Sequence, residues 1–131
     1  MLFRSVSPTY EQVRIIFDNI LSIVGIFAVI TKVTHSKPYE IELRSGTRIS
    51  FKSADRPDTL RGGSYRYVLL DEFAFFKTGV FGEIIRPTTA AKKDSKVIAA
   101  STPKGKSNDF YDLAEQGMDE DNDNYEYHTM H

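Results

Sequence analysis

The sequence predicts an α/β fold, in which a mostly parallel sheet is flanked by helices and carries a β-hairpin insertion. Two short apolar runs, Tyr67 to Leu70 and Lys96 to Ala100, predict buried strands, and we expect the first to be covered on both faces. From Tyr10 to Val24 the apolar residues recur at helical spacing instead. The 131 residues suffice for one hydrophobic core, so we expect a single domain over residues 1–131.

The first quarter of the chain predicts a strand followed by a helix. Leu2 to Val6 is a strand candidate, and Pro8 lies where the first turn of a helix tolerates proline. The helix is expected to stop at Gly25, and its periodic apolar residues are Val13, Ile16, Phe17, Ile20, Leu21 and Val24. Ile26 to Val33 is rich in β-forming residues and predicts a second strand or a linker.

A β-hairpin is predicted next. Residues 39–44 and 47–51 alternate between apolar and polar side chains, and Ser45-Gly46 suits the two-residue turn between them. Residues 52–63 are polar and contain Pro57 and the pair Gly62-Gly63, so we expect a loop there. The charge of this loop suits either a phosphate or partner contact or plain exposure to solvent.

The second half predicts further short elements. Phe81 to Ile85 predicts a helix ended by Pro87, residues 88–94 predict a polar loop, and Asn108 to Gln116 predicts a helix capped by Gly117. Residues 118–124 form an acidic run typical of a solvated loop, and residues 125–130 predict a last strand. The aromatic residues around the Tyr67–Leu70 run are assigned to the core rather than to base stacking; they are Tyr65, Tyr67, Phe73, Phe75 and Phe76.

Composition excludes several classes of protein. The net charge of −1 gives no global electrostatic case for nucleic-acid binding, and the absence of cysteine excludes disulfides and thiolate metal sites and fits a reducing compartment. The most apolar stretch, Ile20 to Ile30, is too short to span a membrane and too far inside the chain for a signal peptide. The three histidines, His35, His128 and His131, lack the spacing of a metal site.

Two adjacent carboxylates, Asp71 and Glu72, follow the central apolar run. Because charges are costly inside a buried strand, we expect both at the carboxyl edge of the sheet, where open α/β sheets bind ligands. Neighbouring residues of a strand point to opposite sides, so one acid is available for Mg²⁺ while the other polarises an attacking water. That division suits nucleoside-triphosphate hydrolysis. A strand that simply meets solvent at two acids explains the same residues.

The segment from Ala100 to Ser107 comes close to a phosphate-binding loop. It lies between a predicted strand and a predicted helix, and Gly105-Lys106-Ser107 matches the end of a Walker A motif, although Ala100 stands where the motif requires glycine. Backbone N–H groups and Lys106 would then hold phosphates. A Walker A loop usually precedes the acidic strand, so this interpretation requires a circularly permuted nucleotide-binding enzyme.

Five motifs occur in order along the chain: Ser7 to Gln12, the hairpin, Leu60-Arg61-Gly62, Val68 to Phe73, and Ser101 to Gly105. Together they resemble the ATPase domain of the phage terminase large subunit, the DNA-packaging motor. The resemblance covers residues 3 to about 128, and it implies an ASCE-type P-loop NTPase fold that uses ATP and Mg²⁺. It also implies a location in the host cytoplasm and, as partners, double-stranded DNA, the small terminase subunit and the portal, but no membrane.

The resemblance assigns roles to residues of this sequence. It makes Asp71 the Walker B metal residue and Glu72 the catalytic carboxylate. Ser101, Thr102 and Pro103 become the coupling motif, which senses the γ-phosphate and links hydrolysis to DNA movement. Arg61, Lys104 and Lys106 are candidates for contacts with phosphate or DNA.

The sequence departs from the family pattern at its start, because no glycine-rich Walker A loop precedes Ser7. We therefore expect an incomplete P-loop domain that is inactive alone. An open sheet edge beside the strand ending at Ala100 would pair with a separate N-terminal ATPase half or with a second copy. The alternatives are the permuted enzyme and a non-catalytic interaction module that keeps only the fold.

Overall fold

A computed structural model describes residues 1–25, 29–90 and 94–128. One six-stranded sheet organises them, in the order β2-β3-β4-β1-β5-β6. The strands are β1 (Leu2–Ser7), β2 (Ile30–Thr34), β3 (Tyr39–Leu43), β4 (Arg48–Ser53), β5 (Tyr67–Asp71) and β6 (Lys96–Ala100). The helices are α1 (Tyr10–Gly25), α2 (Arg86–Ala90) and α3 (Asp109–Met118).

The sheet is mixed in the way the sequence predicts. β4, β1, β5 and β6 run parallel, whereas β2, β3 and β4 are joined antiparallel. The predicted hairpin is β3 and β4, and its turn uses Gly46 at φ 87°, a left-handed conformation that glycine adopts without strain. β1 lies between β4 and β5, and β5 lies between β1 and β6, so these two are the inner strands of the parallel part.

Two apolar clusters cover different parts of the sheet. One lies under α1 and contains Val13, Phe17, Ile41 and Phe51, all at most 2% exposed. The other lies on the opposite face, where Val6, Val68 and Leu70 pack against Phe73 and Ile84 in the segments that follow β5. Alternate residues of one strand therefore serve different layers, as strand geometry requires.

β5 differs from its prediction as a strand buried on both faces. Val68 and Leu70 are 1% exposed, but Leu69 between them is 37% exposed. The reason is the position of α1, which packs mainly on β1 and β4 and leaves that face of β5 open. Ile98, the register partner of Leu69 on β6, is 54% exposed on the same face.

Several local predictions are wrong. Pro87 does not end a helix, because a π-helical turn over Phe81–Ile85 continues into α2, in which Pro87 is the second residue. Gly117 lies inside α3 rather than capping it, and a Cβ there would come within 2.8 Å of the Glu126 backbone. Residues 125–128 form no strand. The predicted loop over residues 52–63 contains a 3-10 turn, Pro57–Leu60.

The polar loop predicted for residues 88–94 is wrong at its start, because α2 extends to Ala90. The remaining element predictions are confirmed within the described residues. β1, α1, β5 and β6 have nearly the predicted bounds, and β2 occupies the later part of the Ile26 to Val33 segment. The predictions for residues 26–28, 91–93 and 129–131 lie outside the described residues, and so does His131. Among the described helices, none combines the length and apolar character needed to cross a bilayer.

Candidate active site at the carboxyl edge of the sheet

Asp71 and Glu72 lie where the parallel strands end. Asp71 is the last residue of β5 and is in register with Ala100, the last residue of β6. Glu72 has already left the strand, with a left-handed backbone at φ 50° and ψ 46°. This conformation is uncommon for a residue with a side chain and is frequent at functional sites. A turn of the backbone, rather than alternation along a strand, therefore sets the two carboxylates apart.

The Ser101-Thr102 turn that follows β6 directly contacts the turn at the end of β5, residues 71–74, which we call the acidic turn. The Thr102 hydroxyl donates a hydrogen bond to Glu72 Oε2 over 3.3 Å. The Ser101 hydroxyl accepts one from the Ala74 backbone N–H over 3.2 Å and donates one to the Thr102 carbonyl over 2.9 Å. Because β5 and β6 are adjacent parallel strands, the segments after them meet at one edge, although 29 residues separate Glu72 from Thr102 in sequence.

The electrostatics of Asp71 reflect its position beside Glu72. Burial raises the pKa of the Asp71 carboxyl above its usual value, the neighbouring Glu72 charge adds to this, and a hydrogen bond from the Glu72 backbone N–H opposes it. A bound cation would favour the ionised form. The described residues contain no cluster of three or more histidine or acidic side chains that could hold a metal alone. Mg²⁺ sites in phosphoryl-transfer proteins commonly need only one or two carboxylates, because phosphates and water complete the shell.

The segment from Ala100 to Ser107 is not arranged as a Walker A loop. In that motif the Gly-Lys-Ser residues open a helix, whereas α3 begins only at Asp109, and Lys106 and Ser107 are exposed before it. Lys104 places its ammonium 4.8 Å from the centre of the Phe75 ring. These positions do not favour the permuted enzyme.

Arg61 pairs with an acid of its own loop. Its Nε forms an ion pair with Asp58 over 3.1 Å, and both side chains are more than half exposed. The start of its loop is held by Arg4, which is buried in β1 and donates one hydrogen bond to the Leu60 carbonyl over 2.8 Å and another to the Tyr65 hydroxyl. Burial lowers the pKa of Arg4.

Sequence analysis missed Arg4 and Asn108. An arginine inside an otherwise uncharged strand segment is the signal that marks Arg4 as a buried, specifically paired residue. Asn108 gave only the ordinary signal of a residue at a helix start, yet its side chain also binds the preceding loop. The predicted core position is wrong for Phe75, which is 47% exposed, whereas Phe73 and Phe76 are buried and Tyr65 and Tyr67 are half-buried.

A cavity of about 390 Å³ lies beside the start of α1. Its walls come from the segments after β1, β4 and β5, and they are Pro8, Thr9, Gln12, Ala54, Asp55, Phe75, Phe76 and Lys77. Neither Asp71 nor Glu72 lines it. The two acids therefore belong to a different part of the same edge.

Comparison with known proteins identifies the family. Residues 6–130 match the terminase large subunit, T4likevirus-type, N-terminal family. The chain belongs to this family. It is 32% identical to the terminase large subunit of Thermus virus P23-45 over an alignment of 126 residues, and the match covers 82% of this chain and 26% of that protein. The corresponding values for the Escherichia phage T5 terminase large subunit are 32% over 117 residues, 88% and 26%.

Solved terminase structures share the fold. The large terminase ATPase domain of Thermus phage P74-26 aligns with a TM-score of 0.66 and 27% identity, over 97% of this chain and 60% of that domain. The HK97 bacteriophage large terminase aligns with a TM-score of 0.82 over 98% of this chain and 28% of that one, and its 18% identity supports the fold alone. The predicted α/β, P-loop-NTPase-like fold and the predicted terminase relationship are confirmed. This terminase chain spans 26% of the length of both relatives matched by sequence.

Proposed function

We propose that this terminase chain supplies the Walker B and coupling side of an ATPase site in a phage DNA-packaging motor. The contact between Thr102 and Glu72 carries the proposal, because it joins two motifs from separate segments at the sheet edge where ligands bind. A strand that merely ended at solvent would need no hydroxyl from the next strand on its second carboxylate.

The side chains divide the chemistry between them. Asp71, at the end of β5, would hold Mg²⁺, which neutralises phosphate charge when bound with ATP. Glu72 would orient the attacking water and take its proton. Thr102 orients the Glu72 carboxylate, and Ser101 fixes the turn that carries Thr102 to the acidic turn. By resemblance to the coupling motif, Ser101, Thr102 and Pro103 would report the γ-phosphate to the rest of the motor.

The site also needs a phosphate-binding loop, which we place outside residues 1–131. β5 is the only neighbour of β6 among the described strands, and the outer edge of β6 is a template for another strand. Ile98 and Leu69 form an exposed apolar pair on the adjoining face. A strand bearing a Walker A loop would pair with β6, and its following helix would cover Leu69 and Ile98. A second copy of the chain at the same edge is the competing occupant.

The motor's other partners follow from the family. Double-stranded DNA would be the translocated substrate in the host cytoplasm, and the small terminase subunit and portal would complete the machine. Lys106 is exposed in the loop of residues 101–107, which we call the coupling loop, and Arg61 is exposed in its own loop, so both are available to phosphate or DNA. Lys104 is a weaker candidate because its ammonium already lies over Phe75.

Substitution of Thr102 tests the function. The assay is Mg²⁺-dependent ATP hydrolysis by the chain alone and after assembly with a polypeptide that carries a terminase Walker A strand, loop and helix. We expect little activity alone and clear activity in the assembly. In the assembly, Thr102→Val should lower kcat about 3- to 10-fold, the value of one exposed hydrogen bond to a carboxylate, and Thr102→Ser should retain activity. A strong rate from the chain alone that Lys106→Ala abolishes would instead support the permuted enzyme.

Substitution at the open edge tests the pairing. Small-angle scattering at high concentration should detect association of the wild-type chain, either with itself or with the Walker A polypeptide. Ile98→Lys should weaken that association, since it places a charge on the apolar pair. Ile23→Lys is the matched control, because Ile23 is 60% exposed on α1. A wild-type chain that stays monomeric in both conditions would contradict the pairing.

A further inference from the structure

Asn108 joins the coupling loop to α3 through one buried amide. Its side chain is at the N-cap of α3, and the residue is 6% exposed. The Oδ1 atom accepts a hydrogen bond from the Tyr111 backbone N–H over 2.9 Å, as N-cap residues do. The Nδ2 atom donates in the other direction, to the Lys104 carbonyl over 2.7 Å and the Gly105 carbonyl over 3.4 Å.

The loop held by Asn108 is exposed over most of its length. Residues 102–107 are all exposed, and Gly105 has a left-handed φ of 67°. At its beginning the loop is fixed by Ser101 and Thr102 to the acidic turn. At its end it is fixed by the Asn108 amide. Between them, the Lys104 ammonium lies over the Phe75 ring. The shape of the loop, and with it the position of the Thr102 hydroxyl, therefore depends on these attachments.

α3 is in turn fastened to the segment that follows the acids. The Asp109 carboxylate accepts a hydrogen bond from the Gly79 backbone N–H over 2.9 Å. The Phe110 ring packs edge-to-face on Phe73, the residue next to Glu72, with ring centres 6.4 Å apart. Movement of the loop would thus be passed through Asn108 to a helix that already contacts the acidic turn.

We propose that Asn108 is a positioning residue for the Glu72–Thr102 pair. It fixes the end of the coupling loop to α3, so the Thr102 hydroxyl is held within hydrogen-bonding distance of Glu72. The role rests on the proposed ATPase function, and it adds a residue outside the Walker B and coupling motifs to that site.

The hydrogen bonds from Asn108 Nδ2 to the Lys104 and Gly105 carbonyls form a clamp on the loop. Two variants separate this clamp from the helix cap. Asn108→Ser keeps an N-cap oxygen but has no amide to reach Lys104 and Gly105. Asn108→Ala loses both interactions. We therefore expect Asn108→Ser to unfold thermally close to wild type and Asn108→Ala to be less stable. If Asn108→Ala fails to fold, Asn108→Ser still isolates the clamp.

Limited trypsin digestion of the 131-residue chain tests the clamp and requires no activity assay. Trypsin cleaves after Lys104 and Lys106, and an unclamped loop should be cut about fivefold faster in Asn108→Ser, the factor expected for loss of one typical hydrogen bond. Cleavage after Arg44, in the hairpin turn, serves as the internal control and should not change. Equal cleavage of wild type and Asn108→Ser at the two lysines would overturn the clamp.

ATP hydrolysis by the chain assembled with the Walker A polypeptide tests the positioning role of Asn108. Asn108→Ser should lower kcat severalfold and leave the KM for ATP unchanged, because the clamp acts on Thr102 and Glu72 rather than on nucleotide binding. An active wild-type assembly with an unaffected Asn108→Ser variant would overturn the positioning role. An inactive wild-type assembly would overturn the proposed function and the positioning role together, whereas the digestion result for the clamp would stand.

Discussion

Phe73 and Phe75 lie two residues apart beside the acids, and their truncation should have very different effects. Phe73 is fully buried and packs edge-to-face on Phe76, Phe81 and Phe110, with ring centres 5.1, 5.9 and 6.4 Å away. Phe73→Ala should therefore cost about 3–5 kcal/mol. That is a large fraction of the roughly 5–15 kcal/mol by which a domain is usually stable.

Phe75 is the matched control for this prediction. Its residue is 47% exposed, and its main specific contact is the Lys104 ammonium. Loss of a half-buried ring and an exposed cation–π contact should cost about 1 kcal/mol. Phe75→Ala therefore tests whether burial, rather than aromatic character, determines stability beside the site.

Urea denaturation followed by far-ultraviolet circular dichroism measures both costs, since the chain contains no tryptophan. With an m value of about 2 kcal/mol per M, Phe73→Ala should lower the midpoint by roughly 2 M and Phe75→Ala by about 0.5 M. Phe73→Leu, which retains most of the volume, should fall between them if Phe73→Ala does not fold. Equal shifts for Phe73→Ala and Phe75→Ala would refute the assignment of Phe73 to the core of the site.

Two further predictions concern backbone conformation and charge. Gly63→Ala should destabilise the chain by about 1–3 kcal/mol more than Gly62→Ala. Both glycines have positive φ, but only a Cβ at Gly63 would meet the Tyr65 ring, at 2.8 Å; similar urea midpoints for the two variants would contradict this. Because burial and the Glu72 charge raise the pKa of Asp71, the native state holds that proton more tightly than the unfolded chain. Protonated Asp71 therefore stabilises the fold at pH values below the ordinary aspartate pKa, and this stabilisation is lost as pH rises through the raised pKa. Urea midpoints measured from pH 3 to 8 should fall in wild type relative to Asp71→Asn. Parallel curves for the two proteins would contradict the predicted direction of the pH dependence.

Much of the fold could be predicted because local signals agreed. Helical spacing and the terminal Gly25 fixed α1, and alternation about Ser45-Gly46 fixed the hairpin. The position of the two acids at the carboxyl edge followed from the cost of charge inside a buried strand. The catalytic role of the acids and the coupling role of the Ser101-Thr102 turn remain predictions.

Other features depend on contacts that a local pattern does not contain. The exposure of Leu69 depends on where α1 packs, and the burial of Asn108 depends on its two loop carbonyl partners. The left-handed turn at Glu72 is unfavourable for a residue with a side chain, so propensity predicts against it. The site differs from its prediction mainly where strain or a distant partner overrides local preference.

The most direct test of the proposed site is hydrolysis of ATP by the chain assembled with a Walker A polypeptide, compared between wild type and Glu72→Gln. Glutamine keeps the size of the side chain but cannot take a proton from water. We predict a fall in kcat of about 100-fold or more, the usual contribution of a general base, with little change in the KM for ATP. A Glu72→Gln assembly that turns over within threefold of wild type would contradict the assignment of this sheet edge as the catalytic side of the motor.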